Sequence, residues 1–158
     1  MGAKRQNQQL GFEILEAKSL SQGRDSRFGG SLLKNSNAKS KRPISTKKSM
    51  HLVLRSSLAK GERSLLKKEK EIKEIVAKQG RKFGVKVYRQ ACAGNHIHLV
   101  VLPRSRDAFM GFVRAISGLI ARLVLGAEKG KAKALQFWDQ RPFTRIVQWG
   151  SEFNGVCR

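Results

Sequence analysis

The chain has 158 residues, and its 33 Lys and Arg against 11 Asp and Glu give a formal net charge of +22. Two cysteines are too few for a disulfide scaffold, and no apolar run approaches the roughly 20 residues that cross a bilayer. Because so much like charge repels itself unless a polyanion neutralises it, the composition predicts a nucleic-acid partner. A basic protein of another kind is the alternative.

The chain opens with Lys4 and Arg5 followed by Gln and Asn, without the roughly 7–15 apolar residues of a secretory signal. We therefore expect a cytoplasmic protein with no membrane partner. Cys92 and Cys157 are then expected to be reduced thiols, each serving as a small buried apolar side chain.

Residues 1–48 differ in composition from the rest of the chain. They hold 11 Lys and Arg against 3 acidic residues, and they are rich in Ser, Asn, Gln and Gly. No apolar period is sustained here, so we expect a basic, mostly disordered arm. Two interpretations stay open: the arm grips phosphates without sequence specificity, or it is a solvated tail without a task.

Residues 49–158 show clear periodicities, which predict a separate domain. Runs of branched and apolar residues predict four strands, over residues 50–55, 85–90, 96–102 and 143–147. A first helix of about five turns follows Gly61 and ends toward Gly80 or Gly84. A second, strongly amphipathic helix begins at an Asp107 cap and ends at Gly126.

The order strand, helix, strand, strand, helix, strand is that of a ferredoxin-like βαββαβ fold. We therefore predict an α+β domain with a four-stranded antiparallel sheet and two helices on one face. About 110 residues is a comfortable size for such a domain.

The third predicted strand carries two of the three histidines of the chain, His96 and His98. Alternate strand residues point to the same face, so both imidazoles share one face and the apolar Ile97, Leu99 and Val101 share the other. The apolar set is expected under the helices, which leaves the imidazoles on the open face. Two imidazoles there can converge on one divalent ion; two partly exposed surface histidines are the alternative.

This strand also carries a family resemblance. Asn95 to Val101 (Asn-His-Ile-His-Leu-Val-Val) closely resembles a strand of the single-domain HUH transposases, the tyrosine transposases of the smallest insertion sequences and their REP-associated relatives. Met50 to Arg55 is similar to the family's first strand, and Gln136 to Arg145 to its segment into the last strand. The resemblance covers residues 49–158, and the histidine strand is its most specific part.

The resemblance implies DNA transposition through single-strand chemistry. It implies that His96 and His98 bind Mg²⁺ or Mn²⁺, and that hairpin ends of a mobile or repeated element are recognised as single-stranded DNA. If the first strand neighbours the third, as the predicted fold places it, His51 lies beside this metal site; a half-exposed strand histidine without a catalytic role is the alternative. A DNA-binding protein of this kind would be nucleoid-associated. Whether it is a monomer or a homodimer stays open.

In this family a tyrosine on a helix after the last strand attacks the DNA and forms a phosphotyrosine link. The present chain has one tyrosine, Tyr88, which falls on the second predicted strand, and a helix begins only near Ser151. The nucleophile and third metal ligand of a family member are expected at or beyond this edge of the chain, so the chain is either a truncated product or a derivative that binds without cutting. Tyr88 is either a displaced nucleophile or an ordinary strand residue. The alternative to an enzyme is a non-catalytic module that binds single-stranded DNA or RNA.

Basic residues of the second half form the predicted nucleic-acid surface, because the excess charge has no other explanation. A solvated cationic face is the alternative. The predicted phosphate contacts are Arg114, Arg122, Lys131, Lys133, Arg141 and Arg145.

Overall fold

The computed structural model describes residues 28–29, 41–126, 135–148 and 150. Its strands are β1 (Phe28–Gly29), β2 (Met50–Arg55), β3 (Val85–Cys92), β4 (His96–Pro103) and β5 (Phe143–Ile146). Its α-helices are α1 (Glu69–Phe83), which follows two short 3₁₀ turns at Gly61–Arg63 and Leu65–Lys68, and α2 (Arg106–Leu125).

The strands form one antiparallel sheet in the order β1-β5-β2-β4-β3. The four strands predicted from the sequence stand in the order expected of a ferredoxin-like fold, which confirms the predicted class. The two-residue strand β1 is an addition to the predicted four, and it pairs with Thr144 and Arg145 of β5. It lies within the segment predicted as a disordered arm; the rest of residues 1–40 is outside the described residues.

Residues 41–48, also assigned to the arm, lie against the domain. Ile44 packs against the hydrophobic core. Arg42 donates hydrogen bonds from Nη1 to the carbonyl oxygen of Pro142 and to Thr144 Oγ1. These contacts hold the chain beside β5 before β2 begins.

Both helices end as predicted, at glycines with left-handed backbone. Gly84 has φ 66° and Gly126 has φ 60°, conformations that side-chain-bearing residues rarely adopt. The start of α2 differs from the prediction: Ser105, not Asp107, is the cap. Ser105 has an extended backbone and its Oγ accepts a hydrogen bond from the Ala108 N–H at 3.1 Å. Asp107 lies in the first turn, where a carboxylate favours the positive end of the helix dipole.

The hydrophobic core lies between the two helices and one face of the sheet. Helix α2 is long and apolar enough, by length and composition alone, to cross a membrane. One apolar face of α2 is buried in this core, where it meets side chains of the central strands. The largest fully buried side chains of α2 are Phe109, Phe112, Ile116 and Ile120. α2 is therefore a core helix of the domain, and the polar side chains of the central strands lie on the opposite face of the sheet.

Candidate functional site

The three histidines of the chain lie on the sheet face that is turned away from the helices. In the pairing of β2 with β4, His51 stands opposite Val100, and His98 stands opposite Val53. Directly opposed residues of antiparallel strands point to the same face. Register and alternation therefore bring His51, His96 and His98 together from two neighbouring strands.

The imidazoles are in direct contact. His51 Nε2 lies 3.0 Å from His98 Nδ1, and the two rings stack with centroids 5.2 Å apart and planes 15° apart. The His96 ring meets the His98 ring edge-on, with centroids 4.7 Å apart. His98 is thus the centre of a three-histidine cluster, held between the other two rings.

Asn95 sets the protonation pattern of His96. Asn95 Oδ1 lies 2.7 Å from His96 Nδ1. An amide oxygen only accepts hydrogen bonds, so Nδ1 of His96 carries the proton and Nε2 carries the lone pair of the neutral ring. The position of Asn95 directly before the histidine pair was the sequence signal available for this role.

Burial keeps His51 and His98 uncharged. His51 is 2 % exposed, and burial, then the charges of His98 and Arg145, hold its pKa well below 6.5. Burial, followed by the charge of His96, lowers the pKa of His98 to about 4. Both rings are therefore neutral at neutral pH, the form in which imidazole offers a lone pair to a metal.

These lowered pKa values predict an acid-sensitive fold. Between pH 6.5 and about 4 the unfolded chain takes up a proton at His98 that the folded chain does not, so the free energy of unfolding falls as the pH falls. Full loss of the His98 contribution amounts to about 3 kcal/mol. Urea unfolding at pH 6.5 and pH 5 should show this decline, and His98→Gln should make it shallower. Equal declines in the two proteins would contradict the assignment.

Arginines surround the histidines on the same face. Arg145 stands opposite His51, Arg55 opposite His96, and Arg89 opposite Val100. The guanidinium of Arg55 also lies 3.9 Å from a carboxylate oxygen of Asp139. The cluster is therefore a set of neutral nitrogen donors within a positive rim, which suits a phosphate. The sequence predicted Arg145 as a phosphate contact but missed Arg55 and Arg89, although strand alternation places Arg55 on the face of His51.

The other predicted phosphate contacts lie away from this face. Arg114 and Arg122 are exposed on α2, on the helix side of the sheet. Arg141 is exposed and close enough to Arg42 for its charge to lower the pKa of Arg42. Lys131 and Lys133 lie outside the described residues. The predicted basic set is thus spread over the domain, and only Arg145 stands beside the histidines.

Tyr88 lies at a β-bulge of strand β3, where the register with β4 shifts between Val87 and Arg89. The ammonium group of Lys86 lies 4.9 Å from the centre of its ring. The residue that stands opposite His98 is Ala91, three positions further along β3. The strand pairing therefore does not set Tyr88 directly beside the histidine pair.

Comparisons with known proteins agree with the fold described above. Residues 45–152 match the family model described as IS200-like transposase. A REP-associated tyrosine transposase bound to a REP hairpin is similar in structure, with a TM-score of 0.59 and 12 % identity over 77 % of this chain and 68 % of that one. A Deinococcus radiodurans protein assigned as a transposase is similar with a TM-score of 0.50 and 16 % identity, over 72 % and 88 %. No curated protein matches. At such identities the structural likeness shows a shared fold.

Proposed function

Because this chain belongs to the IS200-like transposase family, we propose that it binds single-stranded DNA hairpins at the ends of a mobile or repeated element, with Mg²⁺ or Mn²⁺ held by His96 and His98. The single observation that carries the proposal is the cluster of neutral imidazoles within a rim of arginines. The REP-associated tyrosine transposase of similar fold is itself bound to a REP hairpin, which supports a hairpin as the partner here.

The donor set fits such an ion through two imidazoles. Among the described residues no group of three His, Cys, Asp or Glu side chains is arranged around one metal position. This agrees with the direction of His51, whose Nε2 faces His98 Nδ1. If His98 donates its Nδ1 proton to His51, the lone pair of His98 is on Nε2, as it is in His96. His51 then orients a ligand and is not a ligand itself.

Each residue of the site has a separate role in this proposal. His96 and His98 hold the ion, Asn95 and His51 fix the tautomers of these two rings, and Arg145 attracts the DNA backbone to the same face. A bound divalent ion supplies Lewis-acid polarisation of a phosphodiester. With two protein ligands the affinity for the free ion is expected to be weak, because DNA and water fill the other positions.

A binding-only module is the second candidate, and the position of Tyr88 favours it. Tyrosine attack on DNA forms a bond from the phenolic oxygen to phosphorus and releases a 3′ hydroxyl, so the oxygen must lie in line with the phosphate that the metal site holds. Tyr88 is the one tyrosine of the chain. It lies on the edge strand β3, three positions before Ala91, the residue that stands opposite His98.

Labelled hairpin DNA tests the two candidates together. Incubated with this chain and Mn²⁺, the hairpin should be retained in a native gel, and no covalent protein–DNA band should appear in a denaturing gel. A covalent band that is lost in Tyr88→Phe would instead identify Tyr88 as the nucleophile. Absence of hairpin retention, with unstructured single strands bound equally well or not at all, would refute the proposed function.

A further inference from the structure

A second concentration of positive charge lies at the start of β5, around Arg42, Arg106 and Arg141. The Arg42 guanidinium donates from Nη1 to the Pro142 carbonyl at 2.6 Å and to Thr144 Oγ1 at 2.9 Å. Arg106, the first residue of α2, donates from Nη1 to the carbonyl oxygen of Arg42 at 2.9 Å. Hydrogen bonds link Arg42 to Pro142, Thr144 and Arg106, and Arg141 directly precedes Pro142. Three guanidiniums from separate parts of the chain therefore lie near one another.

Among the described residues, these three charges have no carboxylate counter-charge. In the part of the chain that the structure describes, no carboxylate forms an ion pair with Arg42, Arg106 or Arg141. Burial lowers the pKa of Arg42, and the charges of Arg141 and Arg106 lower it further. The hydrogen bonds of the Arg42 guanidinium to Pro142 and Thr144 both come from Nη1, whereas a guanidinium has five N–H donors. The cluster is therefore suited to a multivalent anion.

The cluster lies on the other side of the sheet from the histidines. Thr144 stands opposite Leu52, which is buried under the helices, so Thr144 and the guanidinium that binds it are on the helix side. Arg145, the next residue, stands opposite His51 and faces the histidine side. A ligand at the arginine cluster is therefore distinct from one at the imidazoles.

We infer that Arg42, Arg106 and Arg141 form a second phosphate-binding site, which holds the backbone of the single-stranded DNA that flanks the hairpin. The inference rests on the proposed DNA-binding function. Guanidinium forks match phosphate oxygens with paired hydrogen bonds, and such contacts position DNA without reading its sequence. A DNA strand that reaches both sites passes around the side of the sheet formed by β1 and β5, so we expect single-stranded DNA beyond the hairpin to occupy the cluster.

Two probes and two charge-matched variants test this site. The probes are a DNA hairpin with single-stranded tails and the same hairpin without tails, both followed by fluorescence anisotropy at several salt concentrations. Arg106→Gln/Arg141→Gln removes two cluster charges and leaves Arg42 in place. Arg63→Gln/Arg81→Gln removes two exposed charges elsewhere and is the control.

We expect the cluster variant to bind the tailed hairpin about ten-fold more weakly than the control variant, with a salt slope smaller by about 1.4 for two single-strand phosphates. The tailless hairpin should bind equally to both variants. Arg141→Gln alone leaves the hydrogen bond from Arg106 to Arg42 in place. It serves if the double variant unfolds, and we expect it to weaken binding of the tailed hairpin about three-fold.

Equal binding of the tailed hairpin by the two variants, or equal losses on both probes, would overturn the second site while leaving the hairpin function intact. A wild-type chain that binds neither probe would remove the hairpin function, and the second site with it.

Discussion

His96→Ala and His98→Ala should each abolish the heat of Mn²⁺ binding in a calorimetric titration that saturates the wild-type protein. Each substitution removes one of two protein ligands, and the remaining imidazole binds an ion no better than an isolated surface histidine. The measurement needs no DNA, so it tests the metal site independently of hairpin recognition. Equal heats in the wild-type and both variant proteins would refute the assignment of His96 and His98 as ligands.

Substitution of His51 should have an intermediate effect on Mn²⁺ affinity, which distinguishes a residue that orients a ligand from a ligand itself. His51→Leu removes the partner of His98 Nδ1 and should weaken Mn²⁺ binding about 10- to 100-fold, the usual loss when a partner of a metal ligand is removed. His51→Gln places an amide near the position of the imidazole Nε2 and should recover most of the affinity. Wild-type affinity in His51→Leu would show that the 3.0 Å contact does not prepare His98 for the ion.

The features of the fold that follow from local sequence were predictable. The alternation of His96 and His98 with Ile97 and Leu99 assigned the polar and buried faces of β4, because a strand has a period of two residues. The helical period of apolar residues, followed by glycine, located the C-terminal ends of α1 and α2. Neither inference required knowledge of which strands become neighbours.

The site itself depends on pairing between distant parts of the chain. The contact of His51 with His98 is set by the register of β2 against β4, and the strand period alone does not fix that register. The bulge at Tyr88 could not be predicted, because no glycine lies at that position in the strand. The choice of Ser105 over Asp107 as cap could not be made from residue type, since both are favourable caps. Arg42 meets β5 across about a hundred residues, a contact with no local signal.

The salt dependence of hairpin binding should be the largest measurable effect. A chain with a net charge of +22 that contacts about six or more phosphates of a single strand is expected to lose about 300-fold or more in affinity between 50 and 200 mM salt. Each neutralised phosphate of a single strand contributes about −0.7 to the slope of log affinity against log salt. Anisotropy titrations over this range measure the slope directly. A flat response would contradict the prediction that the positive charge serves to bind a polyanion.

Deletion of residues 1–40, which also removes the two-residue strand β1 that pairs with β5, divides this slope between the arm and the domain. The segment holds 7 Lys and Arg against 3 acidic residues, whereas residues 41–48 stay in place because Arg42 and Ile44 pack against the domain. If the arm grips phosphates, the deletion lowers the slope and weakens binding to every DNA alike; if it is a solvated tail, the slope is unchanged. In both cases the preference for a hairpin over an unstructured strand should persist, because phosphate contacts carry no sequence information and the arginines beside His51 and His98 remain. Loss of that preference on deletion would show that the arm, and not the sheet, recognises the hairpin.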